Sequence, residues 1–138
     1  MELFCVSQSL KIHHIGYLVK NIEKSQALFT AMGYMLEQSP IYDEYRDVDI
    51  CFLSKDGYRI ELVAPRTSKS VVGELRKKIG NSPYHICYEV ENLEEAVTVF
   101  RKNHFVIWEE AHVAPALAGK RVAFLINGQM GMIELLEI

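Results

Sequence analysis

Apolar and polar positions alternate with a period of two over residues 14–20 (HIGYLVK) and again over 85–91 (HICYEVE). That period marks a half-buried strand. Ile15, Tyr17 and Val19 share one face of the first stretch, and Ile86, Tyr88 and Val90 share the matching face of the second. The period then changes. Leu93, Ala96, Val97 and Phe100 stand at i, i+3, i+4 and i+7, one apolar face of a helix. Asn92 occupies its N-cap position, with Glu95 three residues on as in a capping box. The stretch after Asn21 is looser: Ile22, Phe29 and Met32 form its stripe, and Gly33 supplies a C-cap. Three short extended stretches follow each helix, about 34–38, 48–54 and 58–64 in the first half and about 105–110, 121–126 and 132–137 in the second. Asp56-Gly57 between apolar runs signals a tight hairpin, and Asn127-Gly128 opens the corresponding turn. Each half therefore predicts the order βαβββ. Between the halves, Val71, Val72, Leu75 and Ile79 give a helical stripe that Gly80-Asn81-Ser82-Pro83 stops.

The two halves match residue by residue. His14 falls on His85, Ile15 on Ile86, Tyr17 on Tyr88, Asn21 on Asn92 and Phe29 on Phe100, all at an offset of 71. Phe52-Leu53 falls on Phe124-Leu125 at 72, and Ile60-Glu61-Leu62 on Ile133-Glu134-Leu135 at 73. A period near 70 is too long for a solenoid repeat and too short for two independent domains. It fits one α+β domain over 1–138 made of two copies of a supersecondary unit: module one about 11–65, a connector helix about 66–82, module two about 83–138, and a short N-terminal extension over 1–10.

Strand parity isolates four residues. The aliphatic and aromatic set of each first strand faces the helix, so His14 and His85 face the other way. Ile60, Leu62, Ile133 and Leu135 face the helix from the last strands, so Glu61 and Glu134 also point away. A single such glutamate reads as strand charge on a wet face. The pattern as a whole does not, because other positions of that parity diverge: Leu18 against Glu89, Arg59 against Met132, Gly16 against Cys87. Two imidazoles and two carboxylates suit a divalent cation such as Zn, Ni, Co, Fe or Mn. Leu18, Val63, Met132 and Leu136 share the parity, and carboxylates among them need a cation to offset desolvation.

Composition narrows the classes. The 138 residues are 49% hydrophobic and 24% charged, which is globular, and the net charge is −3. No basic excess exists to hold a nucleic acid or an anionic membrane, and no apolar run spans a bilayer. The first residues, MELFCVSQSL, do not read as a signal peptide. Cys5, Cys51 and Cys87 include no CxxC, which points to a reducing compartment, the cytoplasm being the simplest.

The segments HHIGYLVKNIEKS, IELVAP, YHICYEVENLEEA and RVAFLINGQMGMIELLE together resemble the vicinal-oxygen-chelate superfamily, the glyoxalase/bleomycin-resistance/dioxygenase proteins. The resemblance runs from about Lys11 to the end. It implies paired βαβββ modules in a cup-shaped mixed sheet around one metal ion, with ligands from the first and last strand of each module. By position these are His14, Glu61, His85 and Glu134, with His14 preferred to His13 because it matches His85. Zn, Ni or Co are the foremost ions, with Fe or Mn behind. A His, Glu, His, Glu set is similar to lactoylglutathione lyase (glyoxalase I), a lyase or isomerase that takes a proton α to a polarised oxygen. RVAFL and IELLE are similar to methylmalonyl-CoA epimerase, the alternative, although that branch often has Gln at the second ligand. A ring-cleaving dioxygenase or a non-catalytic resistance protein is disfavoured by the complete ligand set. Glu134 and Glu61 are then the catalytic carboxylates as well as ligands. The implied partners are a small thioester, hemithioacetal or acyl-CoA substrate and a second copy of the chain.

The remaining assignments are weaker. Loops over 39–47 and 111–120 read as a mobile rim. Arg46, Arg59, Lys120 and Arg121 are candidates for an anionic substrate group, against the ordinary reading of surface cations. Tyr42 and Tyr45 could touch substrate. Cys87 reads as a buried filler, Trp108, Tyr17 and Tyr88 as core, His13 as structural, and His104 and His112 as loop or surface residues.

Overall fold

The computed structural model describes residues 10–138. Cys5 and all of the N-terminal extension except Leu10 lie outside the described residues. The chain is α+β and runs β1 (Ile12–Leu18), α1 (Ile22–Ala31), β2 (Met35–Asp43), β3 (Val48–Lys55), β4 (Tyr58–Pro65), α2 (Gly73–Ile79), β5 (Ser82–Val90), α3 (Leu93–Lys102), β6 (Val106–Ala114), a 3₁₀ turn (Pro115–Leu117), β7 (Lys120–Asn127) and β8 (Gly131–Glu137). It divides into two compact units, residues 14–84 and residues 85–138 with the described residues before His14.

Each unit carries the βαβββ order. In the first, the strands lie in the order β2-β3-β4-β1. β1 runs parallel to β4, with Gly16 beside Glu61, while β3 is antiparallel to both β2 and β4. In the second the order is β6-β7-β8-β5, with β5 parallel to β8 and Cys87 beside Glu134. The registers reproduce the sequence offsets of 71 and 73, so the same geometry is built twice. A parallel first and last strand needs a crossover, which the helix and the hairpins of each unit supply.

The helices begin where the asparagines stand. Asn21 Oδ1 accepts from the Lys24 amide at 2.9 Å, and Asn92 Oδ1 accepts from the Glu95 amide at 3.0 Å. Each satisfies an amide that the first turn leaves without a partner, a contribution of about 1 kcal/mol. Asp56 and Gly57, with φ of 54° and 84°, make the β3–β4 turn. Positive φ at both central residues matches the twist of a two-residue hairpin and strongly favours glycine at the second.

α1 packs on Val19, Cys51, Leu53, Ile60, Leu62 and Ala64, with Tyr17, Phe29 and Tyr34 around them. α3 packs on Val90, Phe105, Ala123, Leu125, Ile133 and Leu135, with Tyr88 partly buried beside them. Tyr17 and Tyr88 therefore do belong to core. α2 is shorter than its stripe suggests and buries none of its own side chains; Val72, just before it, is the buried member. No helix among the described residues is long and apolar enough to cross a membrane.

Two regions differ from the sequence reading. Most of 39–47 and 111–120 is strand or turn, not a loose rim. Asp43, Arg46 and Asp47 are buried there. Arg46 Nη1 donates to Asp43 Oδ2 at 2.7 Å, the Tyr42 hydroxyl donates to Asp47 Oδ1 at 2.7 Å, and the Thr67 amide and hydroxyl donate to Asp47 Oδ2. Short polar side chains that read as loop are the clamps of this turn. Trp108 is the second difference: it is 38% exposed rather than core.

Candidate metal and proton-transfer site

On the face of module one away from α1, β1 presents His14 and β4 presents Glu61. Because Gly16 lies beside Glu61 in parallel register, His14 is two residues back on the same face. Its Nε2 stands 3.4 Å from Glu61 Oε1, and both side chains are buried. Phe52 of β3 lies directly across from Glu61, and its ring meets the His14 ring edge-on, with centroids 5.3 Å apart. Leu18, Ile50 and Val63 are buried on this same face.

Module two repeats the arrangement. His85 on β5 and Glu134 on β8 bring Nε2 and Oε1 to 2.9 Å, again with both residues buried. Phe124 of β7 lies across from Glu134 and meets His85 edge-on at 5.2 Å. Val122, Leu136 and Cys87 are buried beside them. Each module thus brings its predicted histidine and glutamate together. The two phenylalanines are a feature the site reading passed over, although the Phe52-Leu53 and Phe124-Leu125 match already singled them out.

A carboxylate in such a setting costs several kcal/mol in lost hydration unless a positive charge faces it. Each pair offers one imidazole nitrogen and one carboxylate oxygen to a cation. The donor chemistry, nitrogen plus oxygen in a buried and largely apolar setting, fits a borderline divalent ion.

The nearby thiols do not compete as nucleophiles. Desolvation, and secondarily the charge of Glu61, push the Cys51 thiol up to about 11. Cys51 and Cys87 are both buried, and neither is in a disulfide.

The predicted substrate cations fare differently. Arg46 is held by Asp43, and Arg59 Nε donates to Glu37 at 2.9 Å. Arg121 Nη2 donates to Glu94 of α3 at 2.8 Å and to Glu137 at 2.9 Å, which places it on the helix side, away from His85. Lys120 is exposed. Parity explains the Arg121 result, since it shares the strand face of Ala123 and Leu125, which lie in the core. Tyr42 is engaged by Asp47 and stacked under the Arg66 guanidinium at 3.6 Å, while Tyr45 is exposed.

With this geometry in hand, comparison with known proteins places the chain in a family. Residues 13–124 match the model of the Glyoxalase/Bleomycin resistance protein/Dioxygenase superfamily, and the chain belongs to it. Among curated proteins it is similar to the mitochondrial methylmalonyl-CoA epimerase of Bos taurus, 26% identical over 91% of this chain and 73% of the relative. Among solved structures it is similar to hypothetical protein BH1468 from Bacillus halodurans C-125, with a TM-score of 0.82 and 25% identity over 95% of this chain and 96% of that one. It also shares its fold with a variant of Streptomyces coelicolor methylmalonyl-CoA epimerase in complex with 2-nitronate-propionyl-CoA, with a TM-score of 0.78 and 21% identity over 94% of this chain and 95% of that one. The curated relatives are epimerases, so they favour the alternative of the sequence reading over the glyoxalase I reading, which finds support only at the superfamily level.

Proposed function

We propose that this protein is a metal-dependent epimerase acting on an acyl-CoA thioester of the methylmalonyl-CoA type. The observation that carries the reading is the doubled His/Glu pair, His14 with Glu61 and His85 with Glu134, in a chain whose curated relatives are epimerases. The ligand of the Streptomyces relative, an acyl-CoA analogue, supports the substrate class.

His14, Glu61, His85 and Glu134 are assigned as the ligands of one divalent ion, with Zn, Ni or Co foremost and Fe or Mn behind. When bound, the ion would polarise the thioester oxygen and stabilise the negative charge that develops there. The protein supplies the rest. Inverting a carbon α to a thioester requires a base on one face and an acid on the other. Two carboxylates from equivalent strands meet that need. Glu134, as the carboxylate, takes the α-proton, the C–H electron pair moves toward the thioester oxygen, and Glu61, starting as the carboxylic acid, gives its own proton to the opposite face; the two carboxyls end with exchanged protonation states, which exchange with solvent restores. The apolar residues around each pair exclude water, so that charge is stabilised by fixed groups rather than lost to solvent.

A second reading, the glyoxalase I type with a hemithioacetal substrate, is favoured by one residue: Glu61 stands where, by the resemblance, epimerases often have a glutamine. One paired assay separates the two. The metal-loaded protein should move solvent deuterium into the α-position of methylmalonyl-CoA and leave the hemithioacetal of methylglyoxal and glutathione unchanged. The reverse result would make it a lyase. An ion content of two per chain instead of one would mean that each pair binds alone. A homodimer and a cytoplasmic location complete the proposal; the buried thiols suit a reducing compartment, and sedimentation checks the dimer.

A further inference from the structure

The modules repeat the histidine, glutamate and phenylalanine of the site, but not what stands beside them. Both second strands break register at the equivalent place, between Leu36 and Gln38 in β2 and between Ile107 and Glu109 in β6. A bulge re-aims the residue inside it and is common beside active sites. Glu37 occupies the first bulge and pairs with Arg59 at 2.9 Å; Trp108 occupies the second. Arg59 stands two positions before Glu61, and Met132 two before Glu134. Where module one has an ion pair, module two has a tryptophan and a methionine.

The Trp108 ring meets Phe124 edge-on with centroids 6.2 Å apart, and Phe124 in turn meets His85 at 5.2 Å. Phe124 and His85 lie on the face away from α3, so the indole lies there too. With 38% of its surface open, it is a large apolar group left partly wet within two ring contacts of a site histidine. Half-open tryptophans of this kind are characteristic of binding surfaces, where one side packs and the other receives a ligand.

We propose that Trp108 is a specificity-determining residue: its open indole surface is the apolar wall that receives the methyl group on the α-carbon of the acyl thioester beside His85 and Glu134. This rests on the acyl-CoA reading above. The ion pair at the equivalent place of module one would have to be desolvated by an apolar group, so the methyl group is directed to module two.

Trp108 is the sole tryptophan of the chain, so its emission reports this position alone. The probe is propionyl-CoA, which has no α-stereocentre to invert, added to the full-length metal-loaded protein. Calorimetry measures binding, and free CoA is the control. Saturating propionyl-CoA should change the emission in step with the calorimetric isotherm, and free CoA should change it far less. Trp108→Ala should weaken propionyl-CoA binding roughly tenfold, and Trp108→Phe less than about threefold, the scale of one apolar contact. Free CoA affinity should stay the same in both variants, which a merely structural role would not arrange. Trp108→Phe keeps the test valid should the alanine variant melt early. If propionyl-CoA binds calorimetrically with unaltered emission and unaltered affinity in the variants, Trp108 is not the wall. If it does not bind the metal-loaded protein at all, the acyl-CoA reading itself falls, and this proposal with it.

Discussion

Glu134 is 2% exposed, with an imidazole nitrogen 2.9 Å from its carboxylate and a phenylalanine directly across the sheet. Little but electrostatics justifies a carboxylate in such a place, which is why the residue reads as chemistry and not packing. Glu134→Gln keeps the shape and removes the base. Deuterium exchange into methylmalonyl-CoA should fall by about 10²- to 10⁴-fold, the usual contribution of a positioned base. An exchange rate like that of the parent protein would take Glu134 out of the mechanism. The histidines and glutamates were legible at this scale because they recur at one parity in both copies. Trp108 is not legible: a lone tryptophan in an apolar stretch reads as core, whereas the pairing of Ile107 with the core residue Leu125 leaves its neighbour Trp108 on the opposite face.

At the scale of elements, α3 is tied to its strands by charge as well as by apolar packing. Glu137 of β8 accepts from the Leu93 amide at the start of α3 and from Arg121 of β7, which also holds Glu94 of α3. The Leu93 amide first, and then Arg121, hold the Glu137 carboxyl below its ordinary value of 4.5. Arg121 does the same for Glu94. A carboxyl whose folded pKa is depressed contributes stability above its unfolded value and loses it as pH falls through the folded value. Melting temperatures from pH 7 down to pH 3 should therefore drop for the parent protein below about pH 4.5, near the unfolded glutamate value. Arg121→Gln should lower the plateau and flatten that acid limb. An acid limb unchanged in the variant would show that the cluster does not couple α3 to the sheet. This cluster is not legible in the sequence, where Arg121 reads as a candidate for an anionic substrate group or as a surface cation; its role depends on which face of β7 it occupies.

Across the whole molecule, two βαβββ units each bury a His/Glu pair, and the proposed ion would bind the folded chain far better than the unfolded one. Ligands of that kind stabilise by mass action, about 2.7 kcal/mol at a free concentration one hundred times Kd. A chelator should lower the melting temperature by roughly 5–10 °C for a protein of this size, with recovery on adding one equivalent of divalent ion. Identical melting curves with and without chelator would remove the ion from the fold's stability and weaken its assignment to these residues.

The sequence by itself determined the two-copy architecture, the strand and helix order, both N-caps, and the four residues that pair. These follow from local rules, since period, parity and capping are set by neighbours a few residues away and the repeat states them twice. Tertiary structure decided which cations are neutralised, that 43–47 is a clamped turn, and that Trp108 faces the site side. These depend on partners distant in sequence: Thr67 reaches Asp47, Glu37 reaches Arg59, and Glu137 reaches Arg121. A charge or an aromatic ring acquires its role from what the fold brings against it, and no spacing along the chain encodes that.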